Sequence, residues 1–386
     1  MAHKIIDWFF FFFGVSNPDG TRAATVQGTT EVAGPGATVL GDRPKALRFG
    51  AGASCKVQLS PGDVDAARFA VRIAFRATAN VTTRGNLIES TALPFSLFVQ
   101  PGDAPDRFNI QASVANGAAG WTGANTANRR PLVVNQWYVA SLVYDLDTLA
   151  LMVDDTVLAV AAFPRGGLQA PSGDQLWVGT WVNGARWPFG GEIAGVEVWR
   201  DLPEALEAKL DAERGSAEWH LTRKENEVRP SRNLGPKTAD FYLDPATGAY
   251  LQPYALAVIS YAEMHGSAFV MYGSILAKWR SDENLRRSLG ALASDEIPGR
   301  RAGSRKSVFS KGCIYWSPQT GAVPVLERIY LDFELIGEGA HAIGLPVAEA
   351  ENIGGGKVQR FQNGKMFMRS GAANAFEVHG AILAKY

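Results

Sequence analysis

The chain has 386 residues, 46% apolar and 20% charged, with 38 basic residues against 38 acidic ones. Such a chain is globular and long enough for two or three domains, and its zero net charge gives no electrostatic pull toward nucleic acid or anionic lipid. Two cysteines, Cys55 and Cys313, imply no disulfide framework and are expected to pack as small hydrophobes, and five scattered histidines show no zinc spacing.

The first element runs from Ile5 to Val15 and holds five consecutive phenylalanines. It is too short for a transmembrane span, which needs about 20 apolar residues, and it lacks the small-residue cleavage site of a signal peptide. Residues 1–22 are therefore read as an apolar N-terminal segment: a buried strand, or a strand that docks on a partner particle or on a second copy of the chain.

From Thr25 to Trp199 short apolar runs alternate with turn clusters roughly every ten residues, the pattern of a β-sandwich. Strands are predicted at Ala46–Phe49 (after the glycine-rich Val32–Asp42), Phe69–Phe75, Gly85–Glu89, Phe95–Val99, Arg107–Val114 and Gln136–Tyr144. Leu149–Val153 and Thr156–Ala161 follow as a hairpin over Asp154-Asp155, a turn that needs the left-handed conformation Asp tolerates. Gln175–Gly179 and Gly191–Trp199 close the series. Their strand positions put Trp137, Trp177 and Trp199 in the predicted core.

Five features of this order resemble a concanavalin A-like jelly roll of the laminin-G-like kind: Asn135-Gln-Trp137, Tyr144-Asp145, the Leu149–Val153 hairpin, Trp177-Val-Gly179, and Phe189-Gly-Gly-Glu-Ile193 leading to Val196-Glu-Val-Trp-Arg200. Asp154-Asp155 and Ala194-Gly195 depart from that pattern. The resemblance covers residues 23–202 and implies a domain that binds glycans or proteins, or that hydrolyses polysaccharides.

Asp201-Leu-Pro-Glu204 predicts a helix start, with Asp201 as cap and Gly215 as stop. Leu202, Leu206 and Leu210 share one face that can pack on the sandwich. Trp219 to Pro236 is charged and reads as a linker, so 203–236 is assigned to helix and linker.

The remainder, 237–386, repeats itself. Phe309, Gly312, Ile314 and Tyr315 are answered 52 residues later by Phe361, Gly364, Met366 and Phe367. Phe241–Ala249 weakly echoes Ile314–Ala322. Gly273-Ser-Ile-Leu-Ala-Lys-Trp279 returns as Gly380-Ala-Ile-Leu-Ala-Lys-Tyr386, with Ile329-Tyr-Leu-Asp-Phe333 near the midpoint. A period of this length marks an array whose units bury their apolar faces on one another. These segments, with Ala342-Ile-Gly-Leu-Pro346 and Val358-Gln-Arg-Phe361, resemble the LGFP repeat family, which implies a cell-surface protein held to the bacterial cell wall. Leu289-Gly-Ala-Leu-Ala-Ser294 departs from the namesake motif.

Three constellations could carry chemistry. Glu192-Ile-Ala-Gly-Val-Glu197 is similar to the Glu-x-Asp-x-x-Glu strand of laminarinase-type glycosidases, but Ala194 replaces the middle acid. A regular strand would also point the two glutamates to opposite faces, whereas retention needs carboxylates about 5–5.5 Å apart. They are therefore expected to be solvent-facing side chains of a closing strand. Asp145, Asp147, Asp154 and Asp155 lie at hairpin ends and are calcium candidates. Trp121, Trp181, Asn183, Arg186 and Trp187 lie in loops that could stack on and hydrogen-bond a sugar, with Tyr315, Trp316 and Phe367 as counterparts in the repeats. Gly354-Gly-Gly356 lacks the Lys-Ser/Thr of a phosphate loop, and no nucleophile elbow is present in the sequence.

The expected fold is mainly β: an antiparallel jelly-roll sandwich plus a small α+β repeat domain of LGFP type. The expected function is non-catalytic binding of cell-wall or extracellular polysaccharide by an adhesion protein that needs no cofactor and does not span a membrane. The alternatives are a subunit of a phage tail or similar particle, and a polysaccharide hydrolase with a wall anchor. An extracellular, cell-surface or particle-associated location is expected, with a cytoplasmic one left open by the missing signal peptide.

Overall fold

The computed structural model describes residues 4–11, 14–16, 24–59, 68–116, 120–126, 131–163, 168–169, 172–181, 186–383 and 385, with backbone alone for 5–11, 14–16, 116, 120 and 122. The chain divides into two compact units, Met1–Pro230 and Ser231–Tyr386. Among the described residues no helix is long and apolar enough to cross a membrane.

The first unit is a sandwich of two antiparallel sheets. In the first sheet Arg68–Ala77 and Gly191–Trp199 lie side by side at the centre, flanked by Tyr138–Asp145, Thr148–Val153 and Thr156–Ala162 on one side and by Lys4–Phe11 and Gly14–Ser16 on the other. In the second sheet Gly120–Asn125, Arg107–Asn116, Phe95–Pro101, Gly85–Ser90, Gln175–Val178, Ser54–Gln58 and Thr25–Gln27 follow one another. Strict alternation makes this architecture. Phe69, Val71, Ile73 and Phe75 face inward from one sheet, and Phe95, Leu97, Val99, Phe108 and Ile110 answer from the other. Ring pairs such as Phe69–Phe95 at 5.4 Å and Phe75–Phe108 at 6.1 Å join the sheets. Each such buried side chain contributes about 1.5–3 kcal/mol. Mainly β, with an antiparallel sandwich, is the fold class the sequence implies.

The glycine-rich stretch before Ala46 is itself a strand, Thr30–Thr38, paired in a hairpin with Gly41–Phe49. The turn at Asp154 and Asp155 has φ of 49° and 63°, as the hairpin requires. Lys4–Phe11 pairs with Gly191–Trp199 by its backbone; the burial of its phenylalanine side chains lies outside the described residues. Cys55 and Cys313 are free and buried, and burial pushes the Cys55 thiol up to about 12.

Three sequence expectations are corrected in this unit. Trp137, Trp177 and Trp199 are half-buried, not core: their positions alternate away from the sandwich interior, and Arg76, Lys56 and Lys4 cover their rings at 5.0, 5.2 and 4.6 Å. Asp201 does not cap the helix Glu204–Glu213; it accepts from the neighbouring Leu202 N–H, and Pro203 holds the cap position without a side-chain bond. The helix still buries Leu202, Leu206 and Leu210 against Ala70, Val143, Ala150 and Met152 on the outer face of the first sheet.

The third correction concerns the stretch read as linker from Trp219. Ala217–Val228 is a helix, capped by Ser216, whose side chain accepts from the Trp219 N–H. The Trp219 indole donates to Thr148 Oγ1 at 2.9 Å. Thr222 Oγ1 accepts from the Ala162 N–H, and Asn226 donates to the Ala162 carbonyl. Ala162 ends the edge strand, so the polar residues that made the segment look like a linker satisfy an exposed sheet edge.

The second unit is an array of three similar pieces. Each begins with an apolar residue and a glycine in the left-handed region: Leu234-Gly235 (φ 74°), Leu289-Gly290 (73°) and Ile343-Gly344 (78°). Each continues as a four-stranded antiparallel meander: Tyr242–Asp244 to Ser267–Tyr272, Ile297–Pro298 to Gly321–Leu326, and Glu351–Ile353 to Ala375–His379. A helix closes each one, Gly273–Arg280, Glu327–Leu335 and Gly380–Leu383, and its first residue has φ of 59°, 56° or 65°. The bridges Lys237↔Tyr254, Leu292↔Phe309 and Pro346↔Phe361 hold the opening segment to its meander at the same place in all three. Leu289–Ser294, where the sequence departs from the expected motif, therefore occupies the same structural position as the motif itself. The supposed echo at Phe241–Ala249 is out of phase, because it supplies the first and second strands of its meander whereas Ile314–Ala322 supplies the third and fourth. The true counterpart of that hairpin is Ala257–Ala262 with Ser267–Tyr272.

The pieces stack through their helices. Ile275, Leu276 and Trp279 share a core with Leu289, Leu292, Phe309 and Ile314 of the second piece. Ile329, Tyr330 and Phe333 share one with Ile343, Leu345, Phe361 and Met366 of the third.

Candidate functional site

On the outer face of the second sheet, alternation turns a mostly polar row of side chains away from the sandwich core. Ser96 and Phe98 point outward between the core residues Phe95, Leu97 and Val99, and Gln111 and Ser113 do so between Ile110, Ala112 and Val114. Register aligns them into rows. Glu89 stands opposite Ser96, and Ser96 opposite Ser113; Asn86 stands opposite Phe98, and Phe98 opposite Gln111. Over this floor lies a pocket of about 280 Å³, lined by Arg84, Ser96, Phe98, Gln111, Ser113, Trp121 and Trp181.

The walls are aromatic. Trp121 is 54% exposed. Trp181 and Trp187 meet edge to face at 4.9 Å, and the backbone bond from the Trp181 N–H to the Arg186 carbonyl closes the loop that carries them. The Arg84 guanidinium is sandwiched between Phe98 at 3.7 Å and Trp187 at 4.0 Å. Its Nε donates to Asn86 Oδ1 at 2.8 Å and its Nη2 to Ser96 Oγ at 3.0 Å, so the plane is fixed. Beneath it Glu89 is 2% exposed, with Oε2 at 3.8 Å from Arg84 Nη2 and accepting from Asn86 Nδ2. Burial pushes its carboxyl up to about 7, against the pull of Arg84, Asn86 and Ser96. Burial also lowers the Arg84 pKa from its ordinary value. Gln111 Nε2 donates to Ser113 Oγ, and Asn125 Nδ2 to Gln111 Oε1.

The sequence thus pointed to Trp121, Trp181 and Trp187, and the fold brings them to one place. Arg186 is exposed on the same loop; Asn183 lies outside the described residues. Sequence reasoning missed Arg84, Phe98, Ser96, Gln111, Ser113 and Glu89. The only signal available was the alternation of Ser96, and of Gln111 and Ser113, with apolar neighbours in their strands.

The other candidates are not brought to this site. Asp145 and Asp147 sit at one end of the strand Thr148–Val153, and Asp154 and Asp155 at the other. Asp145 and Asp147 pair with Arg214 at 2.9 and 3.6 Å, Asp155 with Arg72 at 2.9 Å, and Asp154 Oδ1 accepts from the Val139 N–H. The four carboxylates do not converge, and no cluster fit for a metal occurs among the described residues. In the repeats Tyr315 is 2% exposed, packs on Phe333 at 5.3 Å and donates to Glu338, so it fills the core. Trp316 and Phe367 are half-buried, Trp316 against the core of the first two pieces.

Glu192 and Glu197 are not solvent-facing: they are 0% and 4% exposed. Nor do they face opposite ways. The register of Gly191–Trp199 slips between Ile193 and Gly195, so the bulge at Ala194 puts Glu192 opposite Arg76 and Glu197 opposite Arg72, on one face. Arg48 and Arg76 hold Glu192; Lys4 at 2.8 Å, with Arg43 and Arg72 at 3.7 Å, hold Glu197. Both carboxylates are buried in ion pairs rather than open to a substrate.

Residues 289–334 and 343–386 match the family model described as LGFP repeat. No curated protein matches the chain. Among solved structures the chain is similar to domain 4 of an extracellular arabinanase from Geobacillus stearothermophilus in complex with arabinotriose (12% identity, 53% of this chain and 96% of that one, TM-score 0.39). It is also similar to the botulinum neurotoxin serotype D binding domain (11% identity, 94% and 87% coverage, TM-score 0.38) and to Trypanosoma rangeli sialidase (14%, 49% and 29%, 0.34). Likeness at this level fixes neither topology nor ligand.

Proposed function

We propose that the protein is a non-catalytic saccharide-binding protein of the cell envelope, with its sugar site in the Arg84–Trp121–Trp181 pocket. One observation carries this reading: aromatic walls converge over a floor of hydroxyl and amide groups in a cleft the size of a sugar residue. Indole faces stack on the C–H surface of a pyranose while Ser96, Ser113 and Gln111 reach its hydroxyls. The LGFP-type pieces supply the second half of the proposal. Their resemblance implies attachment to the bacterial cell wall and a cell-surface or extracellular place for the protein. In this reading the sandwich is of the laminin-G-like kind, no cofactor is needed, and the buried, ion-paired Glu192 and Glu197 are structural. Several weak sites on one chain then hold a polymer more tightly than any one alone.

The test is binding of purified wall and extracellular polysaccharides to the full chain and to Trp121→Ala. Because Trp121 is largely exposed, the variant should keep its melting temperature yet bind about tenfold more weakly, the worth of one aromatic stacking contact. Unchanged binding by a folded Trp121→Ala protein would remove the pocket from the proposal.

A further inference from the structure

Resting on the reading of this pocket as a saccharide site, the geometry points to its ligand class: a sugar carrying a carboxylate, a hexuronate or related acid, held by the Arg84 guanidinium. Among the described residues that line the pocket, Arg84 is the one with a charged side chain. Its Nε and Nη2 are engaged by Asn86 and Ser96, while Nη1 makes no hydrogen bond to the described residues. A guanidinium clamped between two rings, with one amino group left over, presents a fixed donor pair to an incoming carboxylate. A neutral sugar would leave that part-buried cation with only Glu89 to neutralise it.

The groups around Glu89 argue the same way. It faces Arg84, Asn86 and Ser96 on its own side of the sheet, and Trp177 stands opposite it in the neighbouring strand, with Lys56 beyond that ring. Among the described residues no second acid is paired with Arg84. The Glu89 carboxyl itself is half protonated near neutrality. Below that point Arg84 keeps its charge for a ligand; above it Glu89 cancels the charge. Ser96, Ser113 and Gln111 remain for ring hydroxyls, and Trp121 and Trp181 for the ring face.

The experiment titrates the full chain with oligosaccharides of galacturonate and of glucuronate, and with their carboxyl-reduced neutral counterparts, at about pH 6 and about pH 8, reading tryptophan fluorescence. The acidic member of at least one pair should bind at least tenfold more tightly at the lower pH. Its affinity should fall as pH rises through about 7, a tenfold fall corresponding to a rise of about one unit in the Glu89 pKa on binding. Arg84→Gln should abolish the difference within the pair, and Arg84→Lys should retain part of it, because the charge survives and the planar fork does not. Should Arg84→Gln fail to fold, the pairwise comparison in the unaltered protein decides alone. Equal affinity for acidic and neutral members overturns the acid selectivity and leaves the saccharide reading standing. Failure of every member to bind overturns both.

Discussion

At the scale of single residues, the most consequential group is Glu89. A carboxyl whose pKa is higher in the folded than in the unfolded chain holds its proton more tightly when folded. The stability it contributes is therefore complete below the ordinary carboxylate range and is lost as pH rises through about 7. A shift of this size corresponds to about 3 kcal/mol. Glu89→Gln keeps an uncharged side chain of the same shape. It should leave stability little changed at about pH 5 and raise it relative to the unaltered protein at about pH 8, read as urea midpoints across that window. Parallel pH profiles for the two proteins would show that Glu89 is an ordinary carboxylate. Residues also show where the sequence was legible. Trp121, Trp181 and Trp187 stood out as large aromatics in polar stretches read as loops, although Trp121 lies in the strand Gly120–Asn125. Arg84 and Phe98 did not, because nothing local says that a loop arginine will stack on a strand phenylalanine two strands away in the chain.

At the scale of elements, the closing helices of the three repeat pieces make a controlled comparison. Ile275 and Ile329 hold the same helical position and are 2% and 1% exposed, whereas their counterpart Ile382 is 63% exposed. Ile275 and Ile329 are covered by the piece that follows each of them, whereas Ile382 at the same helical position is exposed. Ile275→Ala should therefore cost about 2–5 kcal/mol, the range for emptying a packed core position. Ile382→Ala should change stability by no more than about 0.5 kcal/mol, as surface substitutions do. Denaturant melts of the two variants would decide. A large loss in Ile382→Ala would mean that something covers the last helix in solution. The glycines that open each piece were visible as letters but not as a motif, because the residues after them differ: Pro236, Ala291 and Leu345. Only the shared left-handed φ and the shared bridge to the meander make them equivalent.

At the scale of the whole molecule, the helix Ala217–Val228 moves the junction between the two compact units. Its Trp219, Thr222 and Asn226 are tied to the sandwich, while 229–233 are exposed and outside any helix or strand. Brief trypsin treatment should cut first after Arg232, since Arg229 precedes a proline, and should release two fragments readable by mass spectrometry. First cleavage after Arg223, inside the helix, would mean that the helix is not docked. Sequence by itself determined the sandwich, the helix after it and the periodic C-terminal half, because alternation of two and a period near fifty residues are written in the order of residue types. It also singled out the stretches that carry Trp121, Trp181 and Trp187. Tertiary structure alone decided the rest. A one-residue bulge at Ala194 turned Glu192 and Glu197 to the same buried face, and parity placed three strand tryptophans outside the core. Strand register gathered Arg84, Ser96, Phe98 and Gln111 from three separate stretches under Trp121 and Trp181. Register and bulges are settled by which side chains fit across neighbouring strands, and that competition involves residues too far apart in the chain for any local pattern to record.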